Sequence, residues 1–174
     1  GKIVSIFHTI SDSTADAVVP DKITKLFGAD FITEELLGLE FRISPFSFFQ
    51  PNPKGAQNLF SKALEYAGDI DDKIIYDLYC GTGTISQIFA KKARKVVGIE
   101  IVEEAVEKAR DNASLNDLTN CEFIAGDVLE EISQLTQSPD VLVLAPPREG
   151  IHPKALGKIL DLNVDRIISV SYTH

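Results

Sequence analysis

The chain contains the segment Lys73-Ile-Ile-Tyr-Asp-Leu-Tyr-Cys-Gly-Thr-Gly83, in which an apolar strand ends in an acidic residue and a glycine turn. A helical pattern follows at once, from Thr84 to Arg94. Glycine lets a ligand approach the backbone because it has no Cβ and adopts positive φ freely. The next helix presents unpaired N–H groups to the same point. We therefore predict a nucleoside-cofactor site in which Asp77 contacts the cofactor and Gly81 and Gly83 leave room for it.

Acidic residues close three consecutive strand-like runs, at Asp77, Glu100 and Asp127. An acid in the position of Glu100 reaches ribose hydroxyls, and the carboxylate of Asp127 is suited to accept from an adenine amino group. So acidic a rim would repel a pyrophosphate, and Ser86 stands where the dinucleotide fingerprint requires its third glycine. The better ligand is S-adenosylmethionine, a sulfonium cofactor that carries an amino acid and an adenosine.

Strands and helices alternate along the second part of the chain. Strands are predicted near 73–78, 95–100, 121–126, 140–145 and 165–171, and helices near 84–94, 102–114, 128–135 and 153–161. This alternation is typical of an α/β fold with a parallel, doubly wound sheet of about five strands. Because such sheets bind ligands at the carboxyl ends of their strands, Tyr79, Glu100, Asp127 and the segment from Ala145 are expected at one edge.

The first part of the chain differs in character. Short β-like runs at 3–6, 31–33 and 39–44 alternate with polar stretches, which predicts a β-rich accessory region. Residues 54–67 place their apolar side chains on one helical stripe, so an amphipathic helix should pack against the sheet. We divide the chain into a partial β-rich region, 1–50, and a cofactor-binding domain, 51–174. Because the chain lacks methionine, we expect a further segment upstream.

Composition limits the possible partners. No apolar stretch approaches the roughly 20 residues that a membrane span requires, so no membrane partner is expected. Cys80 and Cys121 do not have the spacing of a disulfide framework or of a metal site, so we expect no metal. Because no signal peptide opens the chain either, we expect a cytoplasmic location. A net charge of −9 argues against this chain holding a phosphate backbone by itself. The sequence does not indicate an oligomeric state.

Five motifs together indicate a family. They are Phe48-Phe-Gln-Pro-Asn52, Asp77-Leu-Tyr-Cys-Gly-Thr-Gly83, Gly98-Ile-Glu100, Asn112-Ala-Ser-Leu-Asn116 and Pro146-Pro-Arg-Glu-Gly150. These motifs stand in the order and approximate spacing that the RNA 5-methyluridine methyltransferases have, so the chain resembles that family over about residues 39–171. The resemblance implies a Rossmann-like class I methyltransferase fold, incomplete here and preceded by a short β-rich extension. It also implies transfer of a methyl group from S-adenosylmethionine to C5 of uridine, in ribosomal RNA more than in transfer RNA.

The same resemblance implies four cofactor contacts, by Gln50, Tyr79, Glu100 and Asp127. Two other roles stay open, because Tyr79 could simply cover the edge of the sheet and Gln50 could cap the helix that follows it. The chain also departs from the family at Ala145, where the family has the aspartate of a D-P-P-R motif. A methyl side chain neither accepts nor donates a hydrogen bond there.

The chemistry of the family requires a nucleophile, because C5 of uracil attacks the methyl group only after a cysteine thiolate has added at C6. The family places this cysteine after the fifth strand, where this chain has Tyr172, and a base follows further downstream. Cys80 belongs instead to the cofactor turn, where a role in packing is expected. We therefore expect a fragment that keeps most of the cofactor pocket and does not methylate.

Several alternatives stay open. A truncated gene whose last codons are not native is favoured over a pseudoenzyme that lost its nucleophile. The intact protein would then add an RNA-binding barrel, sometimes an iron–sulfur site, and the last strands, and the fragment alone would be prone to aggregation. One alternative function is that of a class I methyltransferase acting on an amine, with Ala145-Pro-Pro-Arg148 in place of an N-P-P-Y-like loop. Another is that of a non-catalytic module that binds cofactor or RNA.

Overall fold

The computed structural model describes residues 3–12, 21–45, 47–147 and 150–170. In these residues the chain forms two antiparallel hairpins, a five-stranded sheet and five helices. The strands are β1 (Ser5–Ile10), β2 (Lys22–Gly28), β3 (Ile32–Leu36), β4 (Leu39–Ile43), β5 (Ile74–Leu78), β6 (Lys95–Glu100), β7 (Cys121–Ala125), β8 (Val141–Leu144) and β9 (Arg166–Ser169). The helices are α1 (Pro53–Ala67), α2 (Thr84–Ala90), α3 (Glu103–Leu115), α4 (Val128–Glu131) and α5 (Pro153–Asp161).

The main sheet is parallel and has the strand order β7-β6-β5-β8-β9. All five residues of the central strand β5 and all four of β8 are buried, because helices cover both faces of the sheet. A strand that is buried on both faces reads as a continuous apolar run rather than as an alternating one, which is why the sequence indicated it. The predicted α/β fold is confirmed, and β9 forms one edge of the described sheet.

Helix α1 packs one face against this sheet, as its apolar stripe predicted. Its buried residues are Ala56, Phe60, Ala63 and Ala67. Asn52 caps the helix, because its side-chain oxygen accepts a hydrogen bond of 3.0 Å from the backbone N–H of Gly55, and Pro53 occupies the first turn.

The helices α2 and α4 are shorter than expected. The sequence predicted α2 to residue 94, but it ends at Ala90, where the side-chain amide of Asn120 donates hydrogen bonds of 2.8 Å to the carbonyls of Ala90 and Ala93. The bond to Ala90 satisfies a carbonyl that a helix leaves unpaired at its end. The sequence also predicted α4 to residue 135, whereas it ends at Glu131.

The two hairpins of the β-rich region differ in burial. In β1 and β2 most side chains are exposed, whereas β3 and β4 bury Leu36, Leu39 and Phe41 in the same cluster as α1 and the sheet. Strands β3 and β4 therefore share a core with the sheet, and the division of the chain at residue 50 stays a prediction. Strand β2 was not among the predicted runs, since its lysines and its full exposure remove the apolar alternation.

None of the helices in the part of the chain that the structure describes is long and apolar enough to cross a membrane.

Candidate functional site

The turn after β5 is tied to the neighbouring strand β6. The backbone N–H groups of Tyr79 and Cys80 both donate to the carbonyl of Ile99, at 2.9 and 3.1 Å. Tyr79 has a φ of +65°, an uncommon conformation for a residue with a side chain. The chain therefore turns sharply at the carboxyl end of β5, and the turn continues to Gly83, whose N–H donates to the carbonyl of Cys80.

Glu100 joins the ends of three strands. Its Oε2 accepts a hydrogen bond of 3.0 Å from the N–H of Gly81, and its Oε1 accepts one of 3.0 Å from the N–H of Val102. Its backbone carbonyl accepts from the N–H of Gly126, which follows β7. Each carboxylate oxygen can accept a second hydrogen bond, so this half-buried acid remains able to bind hydroxyl groups.

The two glycines of the turn have different roles. A Cβ added to Gly81, which has a φ of +55°, would meet no atom within 4 Å. A Cβ added to Gly83 would lie 2.6 Å from the ring of Phe123 and 2.9 Å from the Cβ of Ala109. Packing within the protein therefore requires that residue 83 has no side chain, and the expectation that Gly83 also leaves room for a ligand stays a prediction.

Asp77 lies beneath the turn, with only 1% of its surface exposed. Its Oδ2 accepts a hydrogen bond of 2.5 Å from the hydroxyl of Ser86, whereas its Oδ1 has no partner among the described residues. Burial raises the pKa of the carboxyl to about 7, against the opposing effect of the hydrogen bonds from Ser86. Asp77 thus supports the turn from below, and its direct contact with a cofactor stays a prediction.

Tyr79 and Asp127 lie at the same end of the sheet. Tyr79 is half-buried against the cluster beneath β5 and β8, and burial raises its pKa, with a smaller contribution from the charge of Asp127. Asp127 is exposed, and its Oδ1 accepts a hydrogen bond of 2.7 Å from the N–H of Leu129, which caps α4. Tyr79, Gly81, Glu100 and Asp127 are therefore brought together, as the strand-end argument predicted.

Gln50 lies in a groove of about 400 Å³ between the hairpins and the start of α1. The groove is lined in part by Phe7, Phe31 and Phe49. The alternative that Gln50 caps the following helix is wrong, because Asn52 is the capping residue. Its contact with a cofactor stays a prediction.

Both cysteines are unsuited to act as nucleophiles. Burial, together with the charges of Asp77 and Glu100, raises the pKa of Cys80 well above its ordinary value, and burial raises the pKa of Cys121 to about 12. Since the thiolate is the reactive form, neither group is activated near neutral pH. The expected packing role of Cys80 is confirmed, because its sulfur lies against Gly98 and joins the cluster around Phe123.

Sequence reasoning missed Ser86 and Phe123. Ser86 was considered only as a missing glycine, yet its hydroxyl is the hydrogen-bond partner of Asp77. Phe123 fills the space above both Gly83 and Gly98. The signal that could have found it is Gly98, a glycine inside a strand, which pairs with the large aromatic Phe123 on the adjacent strand β7.

A second depression, of about 680 Å³, lies at the opposite end of the sheet. It is lined by residues near the amino ends of β5, β6 and β7, including Arg94, Lys95, Asn120 and Glu122. Lys95 and Glu122 pair with each other at 2.7 Å. Because ligands of doubly wound sheets bind at the carboxyl ends of the strands, we assign the site to the turn around Gly81 and Glu100. Ala145 follows β8 at the same carboxyl end of the sheet as Gly81 and Glu100. Arg148 and Tyr172 lie outside the described residues.

The family model described as a methyltransferase domain matches residues 70–169, which contain the turn, the three acidic strand ends and all five strands of the parallel sheet. The chain belongs to this methyltransferase family. It is also similar to curated proteins named uncharacterized RNA methyltransferase. One from Clostridium tetani is 54% identical over 98% of this chain, and one from Clostridium acetobutylicum is 52% identical over 98%. The chain spans only 38% of the length of each of these relatives.

A solved structure extends the similarity to both parts of the chain. The Pyrococcus abyssi tRNA (uracil-54, C5)-methyltransferase, in complex with S-adenosyl-L-homocysteine, superimposes with a TM-score of 0.83 and 31% identity. The alignment covers 98% of this chain and 42% of that one. Together with the family membership, it confirms S-adenosylmethionine as the expected cofactor.

Proposed function

We propose that this methyltransferase domain holds S-adenosylmethionine for methyl transfer to C5 of uridine in RNA. The observation that carries the proposal is the likeness, over 98% of the chain and at 31% identity, to a uracil-C5 methyltransferase. The names of the curated relatives support RNA as the substrate class. The five motifs, from Phe48-Phe-Gln-Pro-Asn52 to Pro146-Pro-Arg-Glu-Gly150, support uracil C5 over the exocyclic-amine alternative.

The residues around the turn fit this cofactor. The open space at Gly81 lets a ligand approach the backbone, and Glu100 beside it offers carboxylate oxygens to the ribose hydroxyls. Asp127 offers an acceptor to the adenine, and Tyr79 offers an aromatic surface beside it. When bound, the cofactor supplies an electrophilic methyl group. In this proposal the chain binds and orients the cofactor, with Gln50 as a further contact.

The kind of RNA is the finer part of the proposal. The motifs favour ribosomal RNA, whereas the structural neighbour is named for transfer RNA. The net charge of −9 disfavours strong binding to either RNA by this chain alone, because affinity for a phosphate backbone comes mainly from Lys and Arg. We therefore expect weak RNA binding without additional basic surface.

We also propose that the chain does not methylate by itself. Uracil-C5 chemistry requires a thiolate, and the sequence contains only Cys80 and Cys121. Both thiols have raised pKa values and are partly buried against the cluster around Phe123. Incubation with labelled S-adenosylmethionine and either ribosomal or transfer RNA should therefore yield no 5-methyluridine. Formation of 5-methyluridine would contradict this part of the proposal.

The cofactor site is tested by calorimetric titration of the purified chain with S-adenosylhomocysteine. Glu100→Ala should weaken binding at least about tenfold, since it removes charge-assisted hydrogen bonds worth about 1.5 to 3 kcal/mol. Glu103→Ala is the matched control, because Glu103 is an exposed acid three positions further on, in the first turn of α3.

Thermal unfolding of each variant establishes that it is folded before binding is measured. Undiminished binding by folded Glu100→Ala would overturn the assigned site. No binding by the folded parent chain would overturn cofactor binding itself and leave the non-catalytic alternative.

A further inference from the structure

The side chains of Asn112 on α3 and of Asn116, which caps the end of α3, form hydrogen bonds with the backbone of β4. Asn112 Oδ1 accepts a hydrogen bond of 2.8 Å from the N–H of Arg42, and its Nδ2 donates to the carbonyl of Arg42 at 3.3 Å. Asn116 makes the same pair of hydrogen bonds to Glu40, both at 2.8 Å. We call these two residues the asparagine clamp.

The spacing of the clamp matches the strand that it holds. Residues four apart on a helix are separated by about 6 Å along its axis. Residues two apart on a strand, such as Glu40 and Arg42, are separated by about 6.6 Å. Because each amide carries both a donor and an acceptor, the two asparagines replace a neighbouring strand along the edge of β4 that does not pair with β3.

Asn116 extends this contact to α2. Its Nδ2 also donates to Oε1 of Gln87, at 3.1 Å, and Gln87 is completely buried. Helix α2 follows the turn that contains Gly81, and α3 begins three residues after Glu100. The clamp therefore connects β4 to both helices that leave the cofactor turn.

A chain of packing contacts continues from β4 towards Gln50. Phe41 lies between the two clamped residues and is only 1% exposed. Its ring packs against that of Phe49, with the centroids 6.0 Å apart. Phe49 immediately precedes Gln50 in sequence, so β4 contacts the segment of the chain that carries Gln50.

We propose that Asn112 and Asn116 are positioning residues of the cofactor site, which hold β4 and, through Phe41 and Phe49, place Gln50 for its contact with the cofactor. The inference rests on the proposed function, in which Gln50 binds S-adenosylmethionine. A purely structural clamp would stabilise the fold without affecting the affinity for the cofactor. The two possibilities differ in whether the effects of Asn112 and Gln50 on binding depend on each other.

A double-mutant cycle on S-adenosylhomocysteine binding tests this dependence. Asn112→Ala removes both hydrogen bonds to Arg42. It should raise the dissociation constant about threefold to tenfold, a change of the size that a net hydrogen-bond contribution gives. In a Gln50→Ala background, Asn112→Ala should have no further effect, since its influence passes through Gln50. Independent, multiplicative effects would overturn the proposal, and so would an unchanged dissociation constant in folded Asn112→Ala. If Asn112→Ala does not fold, Asn112→Asp replaces it, because it keeps the acceptor for Arg42.

Asn120→Ala is the matched control. Asn120 also donates two backbone hydrogen bonds through its amide, but at the opposite end of the sheet. The substitution Asn120→Ala should lower the melting temperature of the chain and leave the dissociation constant for S-adenosylhomocysteine unchanged.

Amide hydrogen exchange tests the clamp without the cofactor. Exchange at Arg42 should become faster in Asn112→Ala, and exchange at Glu40 faster in Asn116→Ala, while unchanged exchange at both would overturn the clamp. If the parent chain does not bind S-adenosylhomocysteine, the proposed function and the positioning role both fail. The hydrogen-exchange experiment then still tests whether the clamp exists. If Glu100→Ala weakens binding and Gln50→Ala does not, the proposed cofactor site stands and only the positioning role fails.

Discussion

The hydroxyl of Ser86 donates a hydrogen bond of 2.5 Å to the carboxylate of Asp77 and so joins the central strand β5 to the first turn of α2. The second oxygen of the same carboxylate has no partner among the described residues, although the side chain is buried. A buried charge without full compensation is costly, and the carboxyl responds by keeping its proton to a higher pH. The turn after β5 therefore lies on a carboxyl group whose pKa burial raises to about 7.

Asp77→Asn should remove a pH dependence of stability. In the folded chain the carboxyl keeps its proton up to a pKa of about 7, whereas in the unfolded chain it loses the proton near 3.8. The unfolded state then binds fewer protons between these values, so the free energy of unfolding falls as pH rises through this window. The total loss is about 4 kcal/mol. Urea unfolding between about pH 4 and pH 8 should show the parent chain losing stability relative to Asp77→Asn. If the free energies of unfolding of the parent chain and of Asp77→Asn change with pH in parallel, the prediction is contradicted.

Alanine substitutions at the two glycines should separate ligand access from packing. Gly81→Ala adds only the strain of a positive φ, about 1 to 2 kcal/mol, and fills the open space beside the turn. Gly83→Ala adds the same strain and also forces its Cβ against Phe123, which costs about 1 to 3 kcal/mol more. Gly83→Ala should thus show the larger loss in denaturant unfolding. Gly81→Ala should weaken S-adenosylhomocysteine binding in a chain that remains folded. Equal losses of stability would mean that the ring of Phe123 moves aside.

Cys80 and Cys121 should react slowly with iodoacetamide in the native chain near neutral pH. Their pKa values are raised by burial, so very little thiolate is present. Mass spectrometry after timed labelling gives the rate, with the chain in denaturant as the control in which both thiols react at the rate of a free cysteine. Rapid native labelling of Cys80 would reopen its role as a nucleophile.

Asp140→Asn should destabilise the amino end of β5. Asp140 Oδ2 accepts a hydrogen bond of 2.8 Å from the N–H of Ile74, and Oδ1 lies 3.2 Å from Nζ of Lys73. The hydrogen bond from the N–H of Ile74 is the largest cause that lowers the pKa of Asp140. The stabilisation by this carboxylate is therefore present above the pKa of the unfolded chain and is lost as pH falls through the folded pKa. Urea unfolding at neutral and acidic pH measures the difference. Lys73→Ala should cost less than about 1 kcal/mol, since exposed ion pairs contribute little. If Lys73→Ala lowers the free energy of unfolding more than Asp140→Asn does, the ion pair and not the hydrogen bond from Ile74 is the main contribution of Asp140.

The sequence predicted the main sheet because its strands are buried on both faces and its helices carry apolar stripes. Both patterns are local, so they can be read without knowing which elements meet. The same reasoning predicted that Glu100 and Asp127 lie together with Tyr79, because parallel strands bring their carboxyl ends to one edge. It did not predict β2, whose exposed residues follow no burial pattern.

Local patterns fail where a residue acts through a distant partner. The glycines at 81 and 83 look equivalent in the sequence, yet only Gly81 faces open space, because Phe123 from β7 packs against Gly83. Likewise, Asn112 and Asn116 stand four positions apart in a recognisable motif, but the motif does not reveal that β4, about 70 residues earlier, is their partner.

The sequence by itself determined the alternation of strands and helices, the glycine turn and the three acids that close the strands, since each depends on residues near one another in the chain. Only the tertiary structure decided that Asp77 is buried on Ser86, that Gly83 is required by packing and that α3 holds β4. These properties depend on how much solvent and which atoms surround a side chain. That environment is created when elements far apart in sequence pack together.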